Sequence, residues 1–372
     1  MKAKELWRFK YNESILGIEL GDINYNGQTE IIAYTKTGIL LIFSLDGKLL
    51  HEKEISKNKS IWQAIIYDIN KDGKQEIILG GMDGVLRVFK SDLAYNLNLI
   101  WSHKFEASIS GILIDDINND GFNDLIVFSL DKTIRVLNPL DGSLIWAQIF
   151  MDGVGDAILW TDIKGSKNKE LIACGNDGTI RAFNGKSGDL IWFRQYSEKI
   201  RCNSFMKSKI GDLIICGGDD KLLHFIDKNS HEEIKSVKFD DYVWKTISFP
   251  KNIYNKLLVS TYSFKYFDNS IPIEKINFTS KILYLNENLE VKWELKNKNI
   301  ETITIFTRNK KNFILLGTTL GELIILDENT GKILINIKKK SCLNSIKVDP
   351  SLNVVIACHD IGTLFTYLLE DY

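Results

Sequence analysis

Glu170-Leu-Ile-Ala-Cys-Gly-Asn-Asp-Gly-Thr-Ile-Arg-Ala-Phe-Asn-Gly-Lys-Ser-Gly-Asp-Leu-Ile-Trp192 decides the fold. Its apolar runs are four to six residues long and are cut by Asn-Asp-Gly and Lys-Ser-Gly-Asp. Short apolar runs between such breakers read as strands and tight turns. Working outward, the same hairpin recurs. Glu30-Ile-Ile-Ala-Tyr-Thr precedes Ile39-Leu-Leu-Ile-Phe-Ser, and Glu76-Ile-Ile-Leu-Gly-Gly precedes Val85-Leu-Arg-Val-Phe. Asp124-Leu-Ile-Val-Phe-Ser precedes Thr133-Ile-Arg-Val-Leu, and Asp212-Leu-Ile-Ile-Cys-Gly precedes Lys221-Leu-Leu-His-Phe. Weaker copies begin near Lys256, Asn312 and Asn353. A period of roughly 40–50 residues, each holding short strands, is the mark of a β-propeller.

Each repeat holds four strands. One precedes the hairpin, as in Ser14-Ile-Leu-Gly-Ile-Glu-Leu, and one follows it, as in Leu144-Ile-Trp-Ala-Gln-Ile-Phe. No stretch sustains an apolar period of 3.6, so almost no helix is expected. The expected fold is all-β: one closed propeller domain spanning 1–372, with eight four-stranded blades. A seven-bladed ring with a spare hairpin is the alternative. The blades fall near 14–56, 60–106, 108–151, 154–197, 200–240, 242–297, 300–339 and 342–368. The last lacks chain for a fourth strand, and Glu5-Leu-Trp-Arg-Phe, within 5–10, is expected to complete it. Such closure removes an exposed sheet edge.

Lys and Arg number 47 against 48 Asp and Glu, a net charge of -1. No basic excess points to nucleic acid or to an anionic membrane. No run approaches the ~18 apolar residues of a membrane span, and the N-terminal residues have no apolar leader segment. Direct membrane insertion is not expected. Cys174, Cys216 and Cys358 sit in apolar runs and, with Cys202 and Cys342, form no Cys-x-x-Cys pair. They read as free thiols in a reducing compartment, with the cytoplasm as the expected location.

Two resemblances follow from particular residues. Ala182-Phe-Asn184-Gly-Lys-Ser187-Gly188-Asp-Leu-Ile-Trp192 resembles the tryptophan-docking motif of the quinoprotein dehydrogenases and their non-enzymatic relatives. Ile325-Leu-Asp327-Glu-Asn-Thr330-Gly331 and Val136-Leu-Asn138-Pro-Leu-Asp141-Gly142-Ser-Leu-Ile-Trp146 are further copies, and Trp7, Trp101 and Trp293 fall at similar positions. The resemblance implies eight blades, with Gly making a tight turn and Trp covering the junction between sheets. The enzymes of that group are periplasmic, carry large insertions and hold a quinone (PQQ) with Ca²⁺ on the propeller axis. This chain lacks the insertions and an adjacent Cys-Cys pair, so no PQQ is expected. The second resemblance is to FG-GAP repeats, found in integrin propellers and in scaffolds such as those of the BBSome. It rests on Asp68-Ile-Asn70-Lys-Asp72-Gly73-Lys-Gln-Glu76 and Asp116-Ile-Asn118-Asn-Asp120-Gly121-Phe-Asn-Asp124. The Phe-Gly and Gly-Ala-Pro signatures are missing.

Ca²⁺ takes six to eight oxygens. Asp68, Asn70, Asp72 and Glu76 offer such a set, as do Asp116, Asn118, Asp120 and Asp124. Asp22, Asn24, Asn26 and Glu30 keep only two acids, and Lys164 interrupts a fourth copy between Asp162 and Glu170. The same residues also make good metal-free turns, because Asp and Asn side chains bond their own backbone. Both readings stay open.

The five histidines show no metal-ligand spacing, and no nucleophile elbow or phosphate loop is present. A non-enzymatic protein-interaction scaffold is therefore expected, with protein partners and possible Ca²⁺ bracing. The rival is a quinone- or carbohydrate-dependent enzyme using the axial pocket. One loop stands out. Residues 262–280 form a long excursion carrying Phe264, Tyr266, Phe267, Ile271 and Ile273. It reads either as a partner contact or as a loop folded back on its own blade.

Overall fold

In the computed structural model of the protein, residues 1–161, 169–251, 254–264 and 278–370 are described. Every apolar run of the repeat is a strand, and the strands assemble into eight four-stranded sheets. The order within the first seven is sequential. In the fourth sheet, Val154–Thr161 pairs antiparallel with Lys169–Gly175, then Thr179–Asn184, then Leu190–Gln195. The eighth runs Lys2–Lys10, Thr363–Glu370, Val354–His359, Leu343–Asp349. The fold is thus a β-propeller of eight blades, and the seven-bladed alternative falls because all eight hairpins build a blade. The blades cover 15–54, 61–104, 109–149, 154–195, 200–238, 242–296, 300–338 and 343–370 with 2–10. The first strand of the chain closes the last blade as expected: Lys2 faces Glu370, Trp7 faces Thr366 and Lys10 faces Thr363. There is no α-helix among the described residues.

The chain packs as two units. The first comprises Met1–Ile112, Asn138–Ser143 and Ile300–Tyr372, the second Leu113–Leu137 and Leu144–Asn299. In both, the core lies between blades. In the first unit, Ile32 and Ile42 of blade one pack with Ile61 and Leu79 of blade two. In the second, Ile126 and Val136 of blade three pack with Leu171 and Phe183 of blade four. A sheet covered on both faces needs apolar side chains at consecutive positions, which is why strands such as Glu76–Gly81 are buried throughout. Fourth strands are half exposed and alternate, as in Leu190–Gln195.

Three of the repeat tryptophans make the same contact. Trp7 Nε1 donates to the Leu45 carbonyl, Trp101 to Pro139 and Trp146 to Gly185, each at 2.8 Å. Each ring lies on a left-handed glycine of the turn it meets: Gly47, Gly142 and Gly188, at φ 93°, 71° and 75°. A Cβ on Gly188 would stand 2.7 Å from the Trp146 ring. Two residues beyond each of the last two tryptophans, a side chain reaches the same glycine: His103 Nδ1 lies 3.2 Å from the Gly142 carbonyl, and Gln148 donates to Gly188 at 2.8 Å. Trp192 departs from the pattern and stacks on His231, the residue in the glycine's place, with 5.0 Å between ring centroids.

Candidate functional site

The acidic loops come first because their residue types promise chemistry. In the loop of blade two, the Asp68 carboxylate accepts from the backbone N–H of Asp72 (3.1 Å) and Gly73 (2.8 Å). Asn70 Oδ1 accepts from Asp72 N (2.9 Å), and Asp72 Oδ1 from Lys74 N (2.8 Å). Glu76, fully buried, accepts from Ile69 N at 3.1 Å. The loop of blade three repeats this. Asp116 accepts from Asp120 and Gly121, Asn118 from Asp120, Asp120 from Phe122, and Asp124 from Ile117. The fourth position of each loop, Lys71 and Asn119, is left-handed at φ 60°, as are Gly73 and Gly121. Both loops are therefore self-capped turns as they stand.

Their electrostatics are strained. Burial raises the Glu76 carboxyl above its ordinary range, and the neighbouring Asp72 and Asp68 charges add to the effect. Burial, then Asp120 and Asp116, pushes Asp124 up to about 6. Glu76 Oε1 is buried with no hydrogen-bond partner, whereas its counterpart in blade one, Glu30 Oε1, accepts from the Tyr95 hydroxyl at 3.3 Å. One cation is already present, as Lys90 Nζ lies 3.2 Å from Asp72 Oδ2. Among the described residues, no three His, Cys, Asp or Glu side chains are gathered closely enough to hold a metal ion.

Of the long-loop residues, Phe264 is described, while Tyr266, Phe267, Ile271 and Ile273 lie outside the described residues. Phe264 joins an aromatic cluster with Tyr242, Trp244 and Tyr262, with ring centroids 5.1, 5.5 and 5.3 Å away. Arg201 lies over Trp244 at 5.0 Å and over Phe264 at 5.7 Å, held in a two-pronged contact by Asp219. Lys221 lies 5.4 Å from the Tyr242 ring. All are half-buried except Tyr262, which is buried. Both ends of the excursion are anchored: Asn299 bonds the Ser263 backbone at 2.9 and 2.8 Å, and Phe278 is buried. Sequence reading found Phe264 but missed Arg201, Tyr242 and Trp244. The alternation Tyr242-Val-Trp244 at the start of a strand was the available signal.

A second missed device recurs in the turns after the second strands. Asp83 pairs with Arg87 (2.6 Å), Asp131 with Arg135 (3.1 Å) and Asp177 with Arg181 (3.0 Å). In blade five His224 takes the arginine's place, buried between Asp220 at 2.8 Å and Glu233 at 3.1 Å. Cys174, Cys202, Cys216 and Cys358 are buried free thiols, and Cys342 is half-buried. Among the described residues, no helix is long and apolar enough to cross a membrane.

Residues 47–141 match the family described as KICSTOR complex protein kaptin, and residues 139–264 match the lambda-carrageenase β-propeller domain. No curated protein matches the chain. Among the solved structures that share its fold are three that span nearly the whole chain. Sqt1 of Saccharomyces cerevisiae superposes with a TM-score of 0.76 at 13% identity, covering 100% of both chains. The computationally designed Ika8 protein gives 0.73 at 15% identity, over 98% of this chain and 99% of that one. BamB from Moraxella catarrhalis gives 0.64 at 16% identity, over 100% and 99%. At such identities the likeness speaks for the fold alone.

Proposed function

We propose that this protein is a non-enzymatic scaffold that binds a protein partner through the aromatic and arginine cluster of Arg201, Tyr242, Trp244 and Phe264. The carrying observation is the cluster itself: Arg201 is held rigid by Asp219 and laid over two half-buried aromatic rings. Trp, Tyr and Arg are enriched among the few residues that dominate interface energetics, and the torsional cost of using Arg201 is reduced here because Asp219 already holds it. The match to kaptin, described as a protein of the KICSTOR complex, supports membership in a multiprotein assembly. The buried free thiols fit a reducing compartment, and we place the protein in the cytoplasm. The test is affinity purification from the native host with quantitative mass spectrometry, comparing wild type with Trp244→Ala and with Phe264→Ser. The reading expects a stoichiometric protein lost from both variants at unchanged melting temperature. Loss of stability with the same co-purifying proteins would show that the cluster only packs the blade.

We further propose that Ca²⁺ braces the two acidic loops. The unpaired, buried Glu76 Oε1 and the raised Asp124 carboxyl are what a nearby cation would relieve. Asp68, Asn70, Asp72 and Glu76 would have to draw together around one ion, and Asp116, Asn118, Asp120 and Asp124 around the other, since neither set of carboxylates is gathered closely enough as it stands. Asp72 would exchange Lys90 for the metal, which makes the first site weak. Calorimetry with millimolar Ca²⁺ on wild type and on Asp72→Ala combined with Asp120→Ala checks this. A rise in melting temperature confined to wild type is expected; superimposable curves with and without Ca²⁺ would leave the loops as turns.

A further inference from the structure

In blades two, three and four, the turn after the second strand is closed by an aspartate and by an arginine four positions on. Arginine keeps its charge at every pH a protein meets. In blade five that place, on the strand Leu222–Asp227, belongs to His224. Histidine is the side chain suited to change charge between about pH 5 and about pH 8. The His224 side chain is only 3% exposed. Its Nε2 lies 2.8 Å from Asp220 Oδ2 and its Nδ1 lies 3.1 Å from Glu233 Oε2. An ionised carboxylate only accepts, so each ring nitrogen has to donate, and only the protonated ring carries two N–H groups. A neutral ring would aim a lone pair at one of the two carboxylates.

The groups around the ring add no second cation at contact distance. The Tyr196 ring covers it with 4.0 Å between centroids, and the Tyr196 hydroxyl donates to the same Glu233 oxygen at 3.1 Å. The buried Cys216 thiol faces it from the strand Gly211–Gly218 and bonds Tyr196. On the strand Glu233–Lys238, Ser236 stands opposite, and the exposed Lys238 lies two positions farther on. Arg194 pairs with Glu232 at 3.3 Å. The same turn also supports the aromatic cluster. Asp219 holds Arg201, with Nη2 donating at 2.8 Å. Lys221, left-handed at φ 64°, bonds the Asp240 carbonyl at 2.9 Å and lies 5.4 Å from the Tyr242 ring. Between them Asp220 ties the turn down twice: Oδ1 accepts from Leu222 N at 3.0 Å, and Oδ2 accepts from the His224 ring. A neutral ring donates to one carboxylate only and no longer balances the charge of either. Charge-assisted hydrogen bonds are about twice as strong as neutral ones, so the tie weakens when the ring loses its proton.

We infer that His224 is a pH-sensitive clamp: its protonated ring fixes the turn of Asp219, Asp220 and Lys221, and loss of that proton loosens the hold of Asp219 on Arg201 beside Trp244 and Phe264. As a control over partner binding it rests on the reading of that cluster as the partner site, but the clamp is measurable without a partner. The test is NMR on the full chain with nitrogen-15 in His, Arg and Trp, titrated from about pH 5 to about pH 8. Arg201 is assigned from Arg201→Lys and Trp244 from Trp244→Phe. The expected result is a His224 ring with both nitrogens protonated at the acid end, and Arg201 Nε and Trp244 Nε1 signals that shift with the His224 ring in one transition. His224→Arg installs the residue of the other blades, and there the Arg201 and Trp244 signals should hold still over the same range. A His224 ring that is neutral throughout, Arg201 and Trp244 signals that ignore it, or the same transition in His224→Arg would overturn the inference. The wild-type titration stands alone if the variant does not fold. Purification from the native host at the two ends of the range separates the two readings. A protein lost in Trp244→Ala yet recovered equally at both pH values would overturn the control while leaving the partner site. A clamp that titrates while Trp244→Ala loses no protein would sink the partner site and leave the clamp.

Discussion

At Trp146 one side chain joins two blades by two means. Its indole N–H satisfies the Gly185 carbonyl, and its ring covers Gly188, whose left-handed backbone would strain any other residue. Gly188→Ala adds a Cβ 2.7 Å from that ring at φ 75°. It should cost about 1–3 kcal/mol, measured as lost stability in denaturant. This contact was legible in the repeat, because Gly and Trp sit at fixed spacing within one motif. Asp156 was not legible, since nothing in Gly155-Asp156-Ala157 tells that burial pushes its carboxyl up to about 7, against the Asn203 and Ala157 N–H bonds and Lys245. The sign follows from linkage. Between the ordinary value of 3.8 and about 7, the native protein holds a proton that the unfolded chain has released. Stability from this residue is therefore present at low pH and lost as pH rises through that window. Asp156→Asn removes the titration, so the melting temperature of wild type relative to the variant should fall from about pH 4 to about pH 7. Parallel curves would contradict the raised carboxyl.

Among the elements, the strand Lys2–Lys10 carries the most consequence for its length. It pairs with Thr363–Glu370 over nearly its whole length and covers what would otherwise be the open edge of the last blade. Its alternating pattern, half-buried on one face only, is that of a fourth strand, and the shortage of chain after Asn353 made its place readable. Deleting residues 1–10 should expose the edge of Thr363–Glu370 and drive concentration-dependent aggregation, followed by light scattering on the purified protein. A truncated chain that stays monomeric with an unchanged melting temperature would deny that the strand closes the blade. Strand runs were legible throughout because each sheet is covered on both faces and so writes consecutive apolar residues. The i,i+4 ion pairs after the second strands were overlooked although Asp83 and Arg87, Asp131 and Arg135, and Asp177 and Arg181 stand at one spacing. Charges at turns read as solvated, whereas the Asp131 and Asp177 carboxylates are nearly covered.

At the scale of the whole molecule, sites form where residues from successive repeats meet, and that is where sequence reading loses its hold. Arg201 comes from blade five, and Tyr242 and Phe264 come from blade six. The spacing that repeats every blade says which strand a residue is on but not which neighbours surround it. The acidic loops were readable because each is a single contiguous segment; the aromatic cluster was not. We propose above all that the Phe264 cluster contacts a protein partner. Its most direct measurement is photo-crosslinking in the native host, with a benzoylphenylalanine placed at position 264 and, as a control, at the exposed Leu93. The account expects a light-dependent adduct of one defined mass from position 264 and none from position 93. Equal labelling from the two positions, or no adduct from 264, would contradict it.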